Sequence, residues 1–95
     1  MEISTTSNIV KIEGNIISIS HFQEIKTTLD LLINSHKEIV IELKDSISIT
    51  SSVLGYFNKL ILKDKIKIYL RVGDSKLISL LSDLNLSHAL NVKKI

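Results

Sequence analysis

Three consecutive hydroxyl side chains, Thr50, Ser51 and Ser52, form the stretch of this chain best placed to do chemistry. Before them lie the β-branched run Glu38-Ile39-Val40-Ile41-Glu42-Leu43 and a short loop, Lys44 to Ser48. After them Leu54, Phe57, Leu60 and Ile61 recur at helical spacing, which predicts a helix from about Ser52 to Leu62. The hydroxyls therefore sit at a strand-to-helix turn, where the first helical N–H groups have no partner within the helix. A side-chain oxygen there can cap the helix, and Ser51 and Ser52 suit that role. The same position also suits a phosphoryl group, held by the helix dipole and the free N–H groups.

Other chemistries find little to work with. His21, His36 and His88 fall in different predicted elements, with no i, i+4 pairing that would suggest a metal site. A hydrolase nucleophile would want Gly-x-Ser-x-Gly, and Ile49 and Val53 stand at the glycine positions around Ser51. With only Gly14, Gly55 and Gly73 present, no P-loop or dinucleotide-binding loop can be drawn. There is no cysteine, so disulfides and thiolate metal sites are excluded. The expectation is a protein that is not an enzyme and needs no cofactor.

Ninety-five residues, 44% of them hydrophobic, suffice for a single domain with one modest core. That core should be aliphatic, because Trp is absent and other aromatics are few. The net charge of +2 comes from scattered lysines and a single arginine, Arg71. The densest group, Lys59, Lys63, Lys65 and Lys67, is interrupted by Asp64 and has no interleaved stacking residues, so no nucleic-acid partner is expected. No apolar run approaches the 18 or so residues of a membrane span, and Met1 to Thr6 lacks the pattern of a signal peptide. These features predict a cytoplasmic protein without membrane insertion.

The elements that must position the hydroxyls follow from periodicity and punctuation. Residues 1–8 are polar and are expected to fray. Ile9 to Glu13 and Ile16 to Ile19 read as two strands turning at Gly14-Asn15. Ser20 with Gln23 matches a capping box, opening a helix with Phe22, Ile25, Leu29, Leu32 and Ile33 through Asn34. Glu38 to Leu43 has the composition of a buried central strand. Ile66, Ile68 and Leu70 alternate with Lys67 and Tyr69 as a strand, and Asp74 or Ser75 caps a third helix carrying Leu77, Ile78, Leu81 and Leu84. Asn85 suits a left-handed position after that helix, with Leu86 folding back onto it. Leu90 to Ile95 completes a β-β-α-β-α-β-α-β order, an α/β domain whose mixed sheet is packed with helices through right-handed crossovers.

The turn Thr50-Ser51-Ser52-Val53-Leu54-Gly55 resembles the signature of the STAS domain family, the anti-sigma factor antagonists. In that family a strand, an Asp-Ser-Ser-Gly-Leu-Gly turn and a helix follow one another. Val10 to Gly14 is similar to the family's first strand and glycine turn, Ile39 to Leu43 to the strand before the signature, and Ser75 to Leu86 to its late helix. The resemblance implies a STAS-like fold over nearly the whole chain and a bacterial partner-switching role in signal transduction and transcription regulation. It makes Ser51 the residue a kinase phosphorylates, with Ser52 and Thr50 as alternative acceptors. The implied partners are an anti-sigma factor or serine kinase with a histidine-kinase-like ATPase fold, and a serine phosphatase. Thr50, Ser51, Ser52, Val53, Leu54 and Tyr56 are the expected partner-binding residues. Phosphoserine carries about −1.5 to −2 charges, which a helix N-terminus tolerates but a largely neutral docked interface does not, so phosphorylation would release the partner. Thr50 and Val53 stand where the family has aspartate and glycine. That difference favours the alternative, a structural STAS subunit docked on a membrane transporter's ATPase without a phosphorylation cycle. Tyr56, off the Leu54/Phe57/Ile61 stripe, is expected to contact the partner, the alternative being a boundary tyrosine whose ring covers sheet-edge aliphatics.

Overall fold

A computed structural model describes residues 1–95. Five strands, β1 (Glu2–Thr6), β2 (Ile9–Glu13), β3 (Glu38–Leu43), β4 (Lys67–Val72) and β5 (Lys93–Lys94), form one sheet in the order β1-β2-β3-β4-β5. Three helices intervene: α1 (Ile19–Leu32), α2 (Ser51–Leu62) and α3 (Ser75–Asp83). β1 and β2 pair antiparallel and every later pair is parallel, which makes the sheet mixed. The chain is an α/β domain consistent with a STAS-like arrangement.

Because strand order follows chain order, right-handed crossovers carry all three helices to the same face of the sheet. Burial agrees. Val10, Ile12, Ile39, Ile41, Leu43, Ile68, Leu70 and Val72 alternate along their strands, share one face by register and are buried with the helical core residues in one cluster. The opposite face is open and mostly polar, with Lys11, Glu42 and Arg71 in one cross-strand row. Glu38–Leu43 is central as expected, but only one of its faces is covered.

The N-terminal third departs from the sequence reading. Residues 2–6 do not fray; they pair with Ile9–Glu13 around a tight turn at Ser7-Asn8, where Ser7 takes the positive φ of 55° that a two-residue hairpin loop requires. Ile16 to Ile19 is not a strand. Gly14, with φ 87°, ends β2, Ile16 is buried in the core, and Ser18 caps α1 by accepting from the His21 N–H at 3.1 Å. The true cap therefore lies two residues before Ser20. A hydroxyl at either position fits a cap by type, and burial of Ile16, Ile25 and Leu29 selects the earlier start.

The C-terminal half follows the reading more closely. The Asp74 carboxylate accepts from the N–H groups of Lys76 and Leu77 and caps α3. Asn85 is left-handed at φ 60°, and the bonds Leu86 N–H to Leu81 C=O and Asn85 N–H to Ser82 C=O, both 2.9 Å, complete a Schellman motif. The last strand is shorter than Leu90 to Ile95, because the chain turns up to Asn91, whose φ is 48°, and only Lys93–Lys94 pair with β4.

Candidate functional site

The loop from Lys44 to Thr50 is held by side chains before it delivers the hydroxyl turn. The Gly14 N–H donates to Asp45 Oδ1 at 2.8 Å, Ser46 Oγ donates to the Gly14 carbonyl at 2.6 Å, and the Ile47 N–H donates to Asn15 Oδ1 at 2.9 Å. Ser46 is fully buried and satisfied by that bond. On the other side Gly73 lies against Lys44. A Cβ there would fall 1.9 Å from the Lys44 carbonyl oxygen, so only glycine permits the approach. The loop is thus anchored to both neighbouring connections at the C-terminal ends of the parallel strands.

Thr50 is the N-cap of α2. Its backbone is extended at φ −87° and ψ 154°, its Oγ1 accepts from the Val53 N–H at 3.3 Å, and its carbonyl accepts from Leu54 at 3.1 Å. Ser51 and Ser52 are then the first two helical residues. Both are exposed, and neither side chain makes a hydrogen bond within the chain. The capping role expected of these serines belongs to Thr50, which stands where the resemblance places an aspartate; a threonine oxygen accepts the same N–H without a charge. No acidic residue lies in the first turn, so nothing offsets the positive end of the helix dipole.

Two of the expected partner-binding residues are in the core instead. Val53 is fully buried, and Tyr56 is only 6% exposed. The buried stripe of α2 is Val53, Tyr56, Phe57 and Leu60, while Leu54 and Ile61 flank it half-buried. Phe57 and Leu60 stay in the stripe as expected, and its centre turns by roughly 60°, because i, i+3, i+4, i+7 starting at Val53 meets the sheet. Tyr56 packs edge-on against Phe22, with ring centroids 6.2 Å apart, and Lys26 Nζ lies 5.6 Å from its ring. Its hydroxyl donates to Asp30 Oδ1, and Asp30 also accepts from Lys26 at 2.7 Å. Burial first, then Asp30, pushes the Tyr56 phenol well above its ordinary range. Burial would raise the Asp30 carboxyl, but the bonds from Lys26 and Tyr56, with nearby lysine charges, outweigh it and hold it low. The tyrosine locks α1 to α2.

Exposed isoleucines outside the expected partner-binding set lie beside Thr50 and Ser52. A groove of about 140 Å³ between the starts of α1 and α2 is lined by Ile17, Ser18, Ile19, Phe22, Thr50 and Ser52. Ile17 is 67% exposed, Ile19 76% and Ile47, three residues before the cap, 58%. Gly55, four residues after Ser51, is also exposed, and a Cβ there would meet nothing within 4 Å. An interior helical glycine with no packing need costs roughly 1 kcal/mol against alanine. The signals were legible only in part: Ile17 and Ile19 fall in a run that reads as a strand, and Gly55 is a glycine inside a helical pattern.

His21 Nδ1 accepts from the Ile17 N–H, His36 Nδ1 lies 3.1 Å from the Leu32 carbonyl, and His88 is exposed. No helix is long and apolar enough to cross a membrane. Comparison with protein-family models, curated proteins and solved structures found no match to this chain.

Proposed function

We propose that this chain is a non-catalytic protein-binding switch module of the anti-sigma factor antagonist type, controlled by phosphorylation of Ser51. The observation that carries the reading is the unused hydroxyl. Thr50 already caps α2, so Ser51 Oγ has no task in the fold, stands exposed at a helix N-terminus and can accept a phosphoryl group without unfolding anything. The partner surface is Ser51, Ser52 and Leu54 with the exposed Ile17, Ile19 and Ile47. Gly55 supports the assignment: it keeps the helix face beside Ser51 flat, at a cost to stability that nothing inside the chain requires.

The switch works by desolvation. An unmodified serine hydroxyl can be covered by a partner at little cost, whereas a dianion must lose its hydration without a counter-charge. The partner is an ATPase of the histidine-kinase-like type that binds and phosphorylates this surface, and a serine phosphatase resets it. The setting is a bacterial cytoplasm. In the second reading the same surface docks permanently on a transporter ATPase; it is favoured by the uncharged Thr50 at the start of the turn.

Intact mass of the protein from its native cells, with and without phosphatase treatment, tests the proposal. A phosphatase-sensitive gain of one phosphate that disappears in Ser51→Ala supports the switch. An unmodified mass under all growth conditions moves the reading to permanent docking. Against a captured partner, Ser51→Asp should weaken binding far more than it alters thermal stability, as read by calorimetric titration and thermal unfolding.

A further inference from the structure

We propose that the chain self-associates through β1, two copies pairing their edge strands antiparallel about a two-fold axis at Ser4. The two edges of the sheet are built differently. β5 is two residues long, both lysine, which is how sheets discourage strand addition. β1 runs through Glu2-Ile3-Ser4-Thr5-Thr6 without lysine, proline or bulge, in unbroken register with β2. Its hydroxyl and β-branched residues suit a strand, and its outer row of N–H and C=O groups has no partner within the chain.

The sequence of this edge is self-complementary. Thr6 and Ile9 close the Ser7-Asn8 hairpin, and alternation along an antiparallel pair then turns the N–H and C=O of Ile3 and Thr5 outward. One antiparallel register pairs the full strand with its own copy. It sets Ile3 against Thr5 of the second copy, Ser4 against Ser4, and Glu2 against Thr6. The outward-facing groups of Ile3 and Thr5 meet each other, and no charge faces a like charge.

The flank of the edge fits the same occupant. Ile3, Ser4 and Thr5 with Thr28, Leu31 and Leu32 of α1 line a cleft of about 300 Å³ above β1. Leu31 is 68% exposed beside it. A two-fold axis perpendicular to the sheet puts both helix layers on the same side, so the second copy brings its own Ile3 and Leu31 toward this cleft. The pairing joins two five-stranded sheets into one continuous sheet. Thr50, Ser51 and Ser52 do not line the cleft, so the assembly stands independently of the switch.

Sedimentation equilibrium over a concentration series tests the pairing. Wild type should show a concentration-dependent dimer. Thr5→Pro removes an outward-facing N–H and should weaken the dimer about a hundredfold, while circular dichroism and thermal unfolding confirm that the fold is kept. Ser4→Lys and Ser4→Glu, at an exposed position, each set like charges against one another and should weaken it about fivefold. A one-to-one mixture of the two should restore wild-type association. A wild type that remains monomeric up to about 1 mM overturns the proposal. So does a dimer that Thr5→Pro leaves intact, or a mixture no better associated than either charged variant alone.

Discussion

Helix α2 carries two faces that the fold treats in opposite ways. On one, Val53, Tyr56, Phe57 and Leu60 are buried, and the Tyr56 hydroxyl is committed to Asp30. On the other, Ser51, Ser52 and Gly55 are exposed, with hydroxyls that bond nothing and a glycine that packs against nothing. Tyr56 and Gly55 are neighbours in sequence and lie about 100° apart around the helix. The buried face can be explained entirely by the needs of folding. The exposed face cannot, and the residues that folding leaves unexplained are those assigned here to binding.

Two glycines repeat the contrast. At Gly73 a methyl group would collide with the Lys44 carbonyl, so the fold itself demands glycine. At Gly55 the space is open. The same residue type is a packing requirement in one place and an unexplained cost in the other.

The sharpest way to break this comparison is Tyr56→Ala, which should cost about 3 kcal/mol or more in urea unfolding. Ser51→Ala should change stability by less than about 0.5 kcal/mol. If instead Tyr56→Ala left stability untouched and weakened partner binding, the two faces would have to be exchanged.

The Tyr56–Asp30 bond can be isolated next. Tyr56→Phe keeps the ring packing and should cost about 1–2 kcal/mol, because a hydrogen bond to a carboxylate is lost while Asp30 keeps Lys26 and solvent. The sign of the pH dependence follows from Asp30. Its carboxyl is held below its ordinary 3.8 in the folded protein, so its contribution is present above that value and is lost as pH falls through the folded one. Unfolding measured from pH 6 down to pH 2 should show this acid loss in wild type, and a smaller one in Asp30→Asn.

Thr50→Ala removes the cap and should destabilise by about 1 kcal/mol, while Ser52→Ala should be near neutral. Equal losses from both would mean that the serines share the capping role. The smallest effect has the opposite sign. Gly55→Ala should raise stability by about 0.5–1 kcal/mol in the same assay, and if this face docks a partner the gain should be accompanied by weaker binding.

Much of the architecture was legible because local rules decide it. A β-branched run identified β3, alternation the body of β4, and the position of Asn85 between Leu84 and Leu86 marked the end of α3 down to its left-handed residue. The strand-to-helix turn was legible for the same reason, since Thr50, Ser51 and Ser52 separate a β-branched run from a helical pattern. The N-terminal hairpin was misplaced because Gly14-Asn15 offers a turn at least as good in sequence as Ser7-Asn8. The choice between them rests on long-range bonds: the Gly14–Asn15 segment is held against the loop from Asp45 to Ile47, which leaves residues 2–6 to pair with β2.

By itself the sequence determined the elements from β3 to α3 and their order, the aliphatic core and the place of the hydroxyls at the start of α2, because each depends on residues within a few positions of one another. Only the tertiary structure decided which hydroxyl caps that helix, which way the helix is turned and which residues surround Ser51. Those outcomes depend on contacts between segments about thirty residues apart, such as Tyr56 with Asp30 and Ser46 with Gly14. A partial rotation of a helix keeps most of its hydrophobic spacing while drawing flanking positions into the core. That is why Tyr56 and Val53 moved into the core, whereas Ile17 and Ile19 reached the groove beside Thr50 and Ser52 because residues 16–19 lead into α1 and are not a strand.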